Sequence, residues 1–527
     1  MKTEIFRGVA VLGLALAVGG CQDLTVTNTN NPDREQVLAD PLDVEALIGT
    51  TWRPYWDYTQ GFSANTWAIS AMADEFTATF ANVGTLDLSS EPRTAFNNDP
   101  TYDARFVAQG PWYAWYAGLS SGNDALRAMQ RRNLVIRDAQ GVDQTARSRA
   151  FAKFTQGLLL GYYALYYDQA FITKEDLDLA DPAVVSSLKL QPYPEVRDAA
   201  IASLQEAIAI ATANQFTLPT NWINGLALTN VELAQLANSY IARLHAYTAR
   251  TPAERAAVNW NAVITHVDRG ITATHAPIGE IGVLQSQYKL RAQSATTFQM
   301  RADYRLVGPA DQSGNYQKWL NTPVNQRTRF LITTPDRRIT GATPTTNGSY
   351  FRYWSTDGGF DASRGTYHFS AYQWRTRLNG VWNDGPLPIM YKAEMDLLKA
   401  EALIRLNRPA EAVPLINRSR TATQTITSGA TSTTFPGLAP VTVTGTSGAT
   451  CVPRKPSGAC GDLFDALMYE KLIEQAGSEA LLNWFDSRGW GSLTPGTPLH
   501  FPVPGRELIT LGLPVYTTGG TNPGSAP

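Results

Sequence analysis

Paired amphipathic helical segments are the feature of this sequence that most constrains its fold. The clearest pair covers Tyr391 to Arg405 and Ala410 to Arg420, and Pro409 between them suits the first turn of the second helix. Apolar residues recur at spacings of three and four in both segments, so each helix has one face for packing. The same pattern occurs at 150–167, 196–211, 230–248 and 260–271. The sequence therefore predicts a mostly α fold built from helix hairpins.

These hairpins are typical of tetratricopeptide-like scaffolds, in which small and large residues alternate across the contact between helices. The pairs begin near residues 150, 230 and 391, which excludes an even repeat of about 34 residues and places large insertions between them. Two insertions, at about 77–105 and 298–388, are rich in polar and aromatic residues without a sustained helical period. We expect long ordered loops with short strands there. Binding residues usually lie on such loops when a rigid frame supports them.

The N-terminus has the layout of a secretory signal peptide. A basic start precedes an apolar run from Val9 to Val18, which is too short to span a bilayer because a spanning helix needs about 20 residues. Val18-Gly19-Gly20-Cys21 follows and has the pattern of a bacterial lipobox, in which the thiol of Cys21 takes the lipid. We predict a signal peptide at 1–20, a lipid-anchored tether at 21–35 and one domain at 36–527. The alternative is an ordinary signal peptide that ends beside a cysteine.

The cysteine count predicts a disulfide. Once the signal peptide is removed and Cys21 is lipidated, Cys451 and Cys460 are the two cysteines that remain, and export places them in an oxidising compartment. A loop of about ten residues closed in this way stabilises a fold by roughly 2.5–3 kcal/mol. A zinc site is not favoured, because two thiols without a nearby His leave the tetrahedron incomplete. We expect the Thr-, Ser- and Gly-rich stretch 421–460 to be a surface excursion closed by this bond.

Composition narrows the functional class. A net charge of -2 and a pI near 6.3 leave no basic field to recruit a polyanion, so the sequence does not favour nucleic-acid binding. Charged residues make up 17% of the chain and Phe, Tyr and Trp make up 10%. This balance suits an exported protein that recognises neutral ligands through aromatic contact.

Sequence motifs give no support for an enzyme. The chain contains no P-loop, no H-E-x-x-H and no G-x-S-x-G, and its five histidines are scattered, so no catalytic metal site is predicted. Asp74-Glu75 is the tempting acidic pair. Adjacent residues on a helix point about 100° apart, so we interpret this pair as a surface pair or an internal ion pair. A glycosidase, which assembles its carboxylates from distant positions, stays an alternative.

Aromatic residues fall into two groups. The stripe Trp112, Trp115, Tyr116 and Leu119 has helical spacing and is predicted to lie in the core. Aromatics in the polar insertions are better ligand-binding candidates, because rings stack on sugar faces or peptide side chains while Asn, Asp and Arg satisfy polar groups. The candidates are Arg93, Asn97, Asn98 and Tyr102 in the first insertion, and Trp319, Tyr350, Trp354 and Trp374 in the second.

Four stretches of the chain, in the expected order, resemble the SusD/RagB family of outer-membrane nutrient-binding lipoproteins. They are Asp23–Asn28 with Asp43–Gly49, the hairpin Tyr391–Arg420, Tyr469–Glu474 with Phe485–Gly491, and the proline-rich segment Leu499–Pro504. Two departures concern the third stretch. Lys471 stands where the family usually has Arg, and Glu479-Ala480-Leu481 replaces its usual E-G pattern. A forked guanidinium contact that pins the last helix is therefore in question at this point.

The resemblance implies a mostly helical SusD-like fold, with four tetratricopeptide-like hairpins supporting a ligand face built from loops. It also implies a surface-exposed outer-membrane lipoprotein that captures oligosaccharide or peptide and delivers it to a SusC-like TonB-dependent barrel, without catalysis or a cofactor. An envelope scaffold protein and, less favoured, a surface glycosidase are the alternatives. The choice between glycan and peptide stays open, as does a structural calcium ion among the loop Asp and Asn residues, for which no EF-hand spacing is present.

Overall fold

The computed structural model describes residues 34–61, 65–78, 83–293, 300–354, 370–375, 385–428 and 430–521. The predicted signal peptide, Cys21 and nearly all of the tether lie outside the described residues, as do parts of both insertions. The lipid attachment site therefore stays a prediction from sequence.

Helices dominate the described residues, as the amphipathic pattern predicted. In chain order they are α1 (Arg34–Val37), α2 (Pro41–Gly49), α3 (Arg53–Thr59), α4 (Asn65–Met72), α5 (Thr85–Ser89), α6 (Phe106–Arg132), α7 (Thr145–Tyr166), α8 (Pro182–Ser187), α9 (Tyr193–Ala213), α10 (Asn230–Tyr247), α11 (Pro252–Ala256), α12 (Trp260–Asp268), α13 (Gln287–Gln293), α14 (Tyr304–Val307), α15 (Asn315–Leu320), α16 (Lys392–Arg405), α17 (Pro409–Arg420), α18 (Leu463–Gln475), α19 (Leu482–Trp490) and α20 (Gly505–Thr510). Short 3-10 turns cover Gly308–Ala310 and Val324–Gln326.

Strands are short and pair two by two. They are β1 (Phe76–Ala78), β2 (Gln169–Phe171), β3 (Leu190–Pro192), β4 (Ile278–Gly279), β5 (Met300–Ala302), β6 (Phe351–Tyr353), β7 (Tyr372–Trp374), β8 (Gly385–Pro386), β9 (Gln424–Ser428) and β10 (Thr431–Phe435). The antiparallel pairs are β1 with β5, β2 with β3, β4 with β8, β6 with β7 and β9 with β10. The pairing of β1 with β5 aligns Phe76 with Ala302 and so joins the two insertions.

Local sequence signals set several helix boundaries. Thr229 caps α10 by accepting from the backbone N–H of Glu232, and the Glu232 carboxylate accepts in return from the Thr229 N–H. Asp462 and Asp465 form the same capping box at the start of α18. Pro409 occupies the first turn of α17, as predicted from its position between the paired segments.

The long helices form a continuous row. Each of α6, α7, α9, α10, α12, α16, α17 and α18 packs on the next in that order. The pairs α10 with α12 and α16 with α17 match segments paired in the sequence analysis. The chain leaves the row after α12 to form the second insertion and rejoins the row at α16. Because α12 packs directly on α16, the insertion does not interrupt the row.

Most of α7, the second helix of this row, is buried. Small residues let its neighbours approach: a Cβ added at Gly157 would lie 2.7 Å from the carbonyl oxygen of Ala200 in α9. The aromatic stripe of α6 packs on the same helix. Trp115 meets Tyr166 edge-on with ring centroids 5.7 Å apart, which confirms that this stripe belongs to the core.

The second insertion has a hydrophobic core of its own. Its buried residues include Tyr304, Trp319, Phe351 and Trp374, which pack with Ile473 of α18. The prediction of long ordered loops with short strands is thus confirmed in part, because α14 and α15 and a buried aromatic cluster also belong to this segment. Aromatic side chains that local composition suggested for ligand binding fill the hydrophobic core of this insertion instead.

A buried ionic cluster holds the C-terminal helices to the frame. Arg255 of α11 makes a forked contact with Glu401, with Nε and Nη2 at 2.9 and 2.7 Å from the two carboxylate oxygens, and its Nη2 also lies 2.8 Å from Asp486. Lys471 donates to the same Asp486 oxygen at 2.7 Å. All four side chains are fully buried. The forked guanidinium contact questioned at Lys471 is therefore supplied by Arg255, which no motif marked.

Glu479, which belongs to the second departure from the family pattern, takes part in another buried ionic contact. Its carboxylate accepts from Arg243 of α10 at 2.9 Å and from the hydroxyls of Tyr55 and Tyr162 at 3.0 and 2.6 Å. Arg243 also makes a forked contact with Glu394. These hydrogen bonds satisfy the buried charges and join α3, α7, α10, α16 and the segment before α19.

Candidate functional site

A cavity of about 330 Å³ lies where the second insertion meets α18 and α19, and we call it the α18 cavity. Its volume falls at the lower end of the range for small-molecule sites. The lining comes from four places along the chain. It includes Asp74 after α4, Arg305, Tyr316 and Leu320 of the second insertion, Pro453 to Pro456 of the disulfide loop, and Asp465, Met468, Leu472, Asn483, Ser487 and Trp490 of the last helices.

The walls of the α18 cavity combine apolar and polar chemistry. Leu320, Met468 and Leu472 supply aliphatic surface, and the half-buried ring of Trp490 supplies an aromatic one. The side chains of Asn483 and Ser487 add an amide and a hydroxyl. Apolar walls with a few convergent polar groups are typical of sites that orient a small polar ligand by hydrogen bonds.

Asp74 holds one corner of the cavity in a constrained backbone conformation. Its φ of 57° lies in the left-handed region, which non-glycine residues seldom adopt. Arg93 donates to its carboxylate at 2.8 Å, and the hydroxyl of Thr494 donates to the other oxygen at 2.7 Å. The interpretation of Asp74 as part of an internal ion pair is confirmed, because the Arg93 side chain is 1% exposed and the Asp74 side chain 6%.

Charges around this corner alternate in sign. Arg305 lies 2.6 Å from a carboxylate oxygen of Glu91 and 3.8 Å from Asp74. Asp303 is buried beside them, and burial together with the negative charge of Asp74 raises the pKa of Asp303 well above its usual range. These surroundings favour the neutral form of Asp303, while Asp74 is the carboxylate paired with arginine.

Glu75 faces away from the cavity corner into the second core. Its carboxylate accepts from the Tyr288 hydroxyl at 2.9 Å, the Gly477 N–H at 3.2 Å and the Ser70 hydroxyl at 3.2 Å. Burial raises the pKa of Glu75 to about 7, and these hydrogen bonds limit the rise.

Glu75→Gln is expected to stabilise the protein above pH 7. The folded-state pKa lies above the unfolded one, so ionisation destabilises the fold as the pH rises from about 4.5 to 7. A neutral amide avoids this cost, and we expect a gain of about 2–3 kcal/mol at pH 8 that vanishes near pH 4. Urea melts at both pH values measure it. Glu195→Gln removes the same charge from an exposed turn of α9 and is the control; an equal gain there would contradict the explanation.

The disulfide loop forms the outer wall of the cavity. Cys451 and Cys460 are bonded, with a Cα–Cα distance of 5.7 Å, which confirms the predicted disulfide. Between them, Arg454 donates to Gln312 at 2.8 Å and to the carbonyl oxygens of Gly458 and Ala449. Lys455 lies 2.9 Å from Asp462 and 3.0 Å from Asp465 at the start of α18. The loop thus attaches to both sides of the cavity.

Trp319, the first candidate of the second insertion, lies behind the cavity wall. Its side chain is 3% exposed, and the Cζ atoms of Arg327 and Arg305 lie 4.1 and 5.4 Å from its ring centroid. Its ring also packs on Tyr316, which lines the cavity. Trp319 therefore supports the wall that a ligand would touch.

The other three candidates of this insertion lie in the second core or at its edge. Tyr350 is 3% exposed and its hydroxyl donates to Glu474 of α18 at 3.1 Å. Trp374 is 1% exposed and covers Gly477, where a Cβ would lie 2.2 Å from the indole. Trp354 is half-buried beneath the guanidinium of Arg352 at 4.8 Å.

In the first insertion, three of the four candidates are absent from the lining of the α18 cavity and make their contacts elsewhere. The Asn98 side chain donates to the carbonyl oxygens of Val503 and Tyr516 and accepts from the Gly505 N–H. Asn97 is exposed and caps its own turn, accepting from the Asp99 N–H at 3.0 Å. The half-buried Tyr102 donates its hydroxyl to Asp87. Only Arg93, through Asp74, reaches the cavity.

The structure thus places Arg93 and Trp319 behind the lining of the α18 cavity, in contact with Asp74 and Tyr316, and the other candidates elsewhere. The cavity residues not singled out from sequence include Arg305, Tyr316, Lys455 and Met468. Trp490 carried a signal, because it belongs to the Phe485–Gly491 stretch that supports the family resemblance. The remaining lining residues come from four distant segments, so no local pattern could group them.

No cluster of three or more His, Cys, Asp or Glu side chains suited to a metal ion occurs among the described residues. Within the same ranges, no helix is long and apolar enough to cross a membrane.

Solved structures with the same architecture are SusD-like proteins. A SusD superfamily protein of Bacteroides vulgatus matches with a TM-score of 0.54 at 13% identity, covering 90% of this chain and 97% of that protein. A SusD-like carbohydrate binding protein of Bacteroides fragilis matches at 0.53 and 14%, covering 86% and 87%. Another SusD superfamily protein of B. fragilis matches at 0.52 and 12%, covering 90% and 98%.

No family model and no curated protein matches the sequence. The likeness therefore lies in the arrangement of the helices, and it extends over nearly the whole length of those structures. It agrees with the four stretches that carry the resemblance in sequence. This chain has the fold of the SusD superfamily.

Proposed function

We propose that this protein is a lipid-anchored, surface-exposed outer-membrane protein that binds oligosaccharide or peptide nutrients and delivers them to a SusC-like TonB-dependent transporter. The SusD-like fold is the observation that carries the proposal, and it supports a nutrient-binding role. One neighbour of this fold is described as a carbohydrate binding protein. The lipobox pattern at Cys21 supports the anchor.

The α18 cavity is the proposed place of capture. Its volume of about 330 Å³ is small, so it holds one end of an oligosaccharide or peptide and leaves the rest of the chain outside. The ring of Trp490 offers an apolar face for stacking, and Asn483 and Ser487 offer hydrogen bonds. The charged groups of the wall are already paired with one another, as Lys455 is with Asp465, so they orient a polar ligand without demanding a charged one.

Binding without catalysis is part of the proposal. Asp74 and Asp465 line the α18 cavity, and each forms an ion pair, Asp74 with Arg93 and Asp465 with Lys455. A general acid needs a raised pKa and contact with the ligand. Asp303 has the raised pKa but is not among the residues that line the cavity.

The test is an affinity pull-down of the tagged, lipidated chain from mildly solubilised outer membranes, followed by mass spectrometry of proteins and retained small molecules. We expect a large TonB-dependent barrel in near-equal amount and a sugar or peptide that names the cargo. Cys21→Ser is the matched control, because it removes the lipid and is expected to release the protein from the membrane fraction. Recovery of the chain alone, or with unrelated envelope proteins, would contradict the proposal.

A further inference from the structure

Two buried arginines, Arg250 and Arg488, lack a carboxylate partner. They are 3% and 1% exposed, and no described carboxylate lies within 4.0 Å of either guanidinium. Arginine keeps its charge at any physiological pH, and a buried charge without a counter-charge is costly. The contrast is with six other buried arginines that have such a partner: Arg93, Arg127, Arg243, Arg255, Arg338 and Arg420.

Both guanidinium groups donate to backbone carbonyl oxygens. Arg488 donates through Nη2 to the carbonyl oxygen of Tyr247, three residues before Arg250, and through Nη1 to that of Leu499. Arg250 donates through Nη2 to the carbonyl oxygen of Tyr167, which is bridged to Phe501. His500 lies between Leu499 and Phe501 in the chain, and the charges of both guanidinium groups act on its imidazole.

The contacts to carbonyl groups leave other donors unused. Nε and Nη1 of Arg250, Nε of Arg488 and Nδ1 of His500 are buried and have no hydrogen-bond partner. The ring of Tyr193 covers one face of the Arg250 guanidinium, with its centroid 3.5 Å from Cζ. Buried donors are nearly always satisfied in native proteins, so four unused donors in one small region point to a bound group.

The neighbouring acids are committed elsewhere. Glu254 accepts from the backbone N–H of Arg250 at 2.6 Å, and Asp168 accepts from the Tyr516 hydroxyl at 2.7 and 2.8 Å. Both carboxylates act on Arg250 only from beyond contact distance. Burial and the two guanidinium groups lower the pKa of His500 to about 3, so its imidazole is neutral and Nδ1 can carry the ring N–H toward an anion.

We propose that Arg250 and Arg488 hold a monatomic anion, of the size of chloride, beside His500. The anion supplies the counter-charge that no side chain provides and accepts from the unused donors. A monatomic ion fits because both guanidinium groups are almost completely shielded from solvent, which leaves little room for a larger anion. The bound anion would link α19 and the closing segment 499–501 to the chain after α10. This inference does not depend on the proposed nutrient binding.

The test uses the purified full chain, transferred from chloride into sodium gluconate and titrated with sodium bromide at constant ionic strength. We expect the midpoint of thermal unfolding to rise by about 2 °C at saturation, with a hyperbolic dependence on bromide. Crystals soaked in bromide are expected to show an anomalous peak between the two guanidinium groups. The peak decides the question even if a variant fails to fold.

Arg488→Met is expected to abolish both the bromide-dependent rise and the peak, because it removes one of the two cations. Arg53→Met is the matched control, since Arg53 is exposed and paired with Asp57, and it is expected to keep both. A wild-type midpoint that does not respond to bromide, together with no anomalous peak, would overturn the site. An equal rise with sodium acetate would overturn its restriction to a monatomic anion.

Discussion

Replacing Arg255 with methionine is expected to lower the free energy of unfolding by about 3–5 kcal/mol. The forked contact with Glu401 and the contact with Asp486 are lost together. Lys471 and Arg405, whose Nη2 lies 3.4 Å from Glu401, are then left to compensate two buried carboxylates. The cost comes mainly from the charges that stay behind, because both carboxylates are fully buried. The methionine itself fills much of the volume of the arginine stem.

Urea unfolding followed by circular dichroism measures this loss. Arg408→Met is the matched control, because Arg408 makes a similar forked contact with Glu411 on the exposed start of α17. Exposed pairs contribute about 0–1 kcal/mol, so the control should change little. If the two variants lose similar stability, the cluster around Arg255 does not pin α19 to the frame as described.

Replacing Met468 with tryptophan is expected to weaken binding of the cargo identified by pull-down at least tenfold, or about 1.4 kcal/mol. Met468 is half-buried on α18 and lines the α18 cavity, so the larger ring would occupy space that the ligand needs. Titration calorimetry with the identified cargo measures the affinity. Thermal unfolding of the variant checks that the fold is retained.

This variant separates the binding site from the partner interface. Val185→Trp adds the same ring on α8, where the side chain is 48% exposed, and should leave cargo affinity unchanged. Both variants should still recover the transporter. Unchanged affinity in Met468→Trp would move the capture site away from the α18 cavity while leaving the proposed transport role intact.

The helical frame could be predicted because its signal is local and repeated. Residues 391–420 and 230–271 show spacings of three and four that a helix pair needs, and Pro409 and Thr229 mark helix starts. The cysteine count sufficed for the disulfide. These features depend on neighbours within a few residues along the chain.

The candidate site could not be predicted to the same degree, because its geometry depends on distant residues. Trp319 lies in a polar insertion, which favoured a role in binding, yet the insertion folds around this ring and keeps it inside. Arg255 carried no motif, and its partners Glu401 and Asp486 lie 146 and 231 residues away. Composition identifies which segment carries aromatics, but the core decides which of them face solvent.

The position of the Cys451–Cys460 bond has a practical consequence for anyone who produces this protein. The bond closes a loop whose residues Pro453 to Pro456 form one wall of the α18 cavity. Material made in a reducing bacterial cytoplasm would carry two free thiols, and that wall would be held by hydrogen bonds and ion pairs alone, such as those of Arg454 and Lys455 and the contact of Arg420 with the Val452 carbonyl oxygen. Affinities measured on such material would understate those of the protein with the bond formed, so periplasmic secretion or oxidative refolding is the appropriate route.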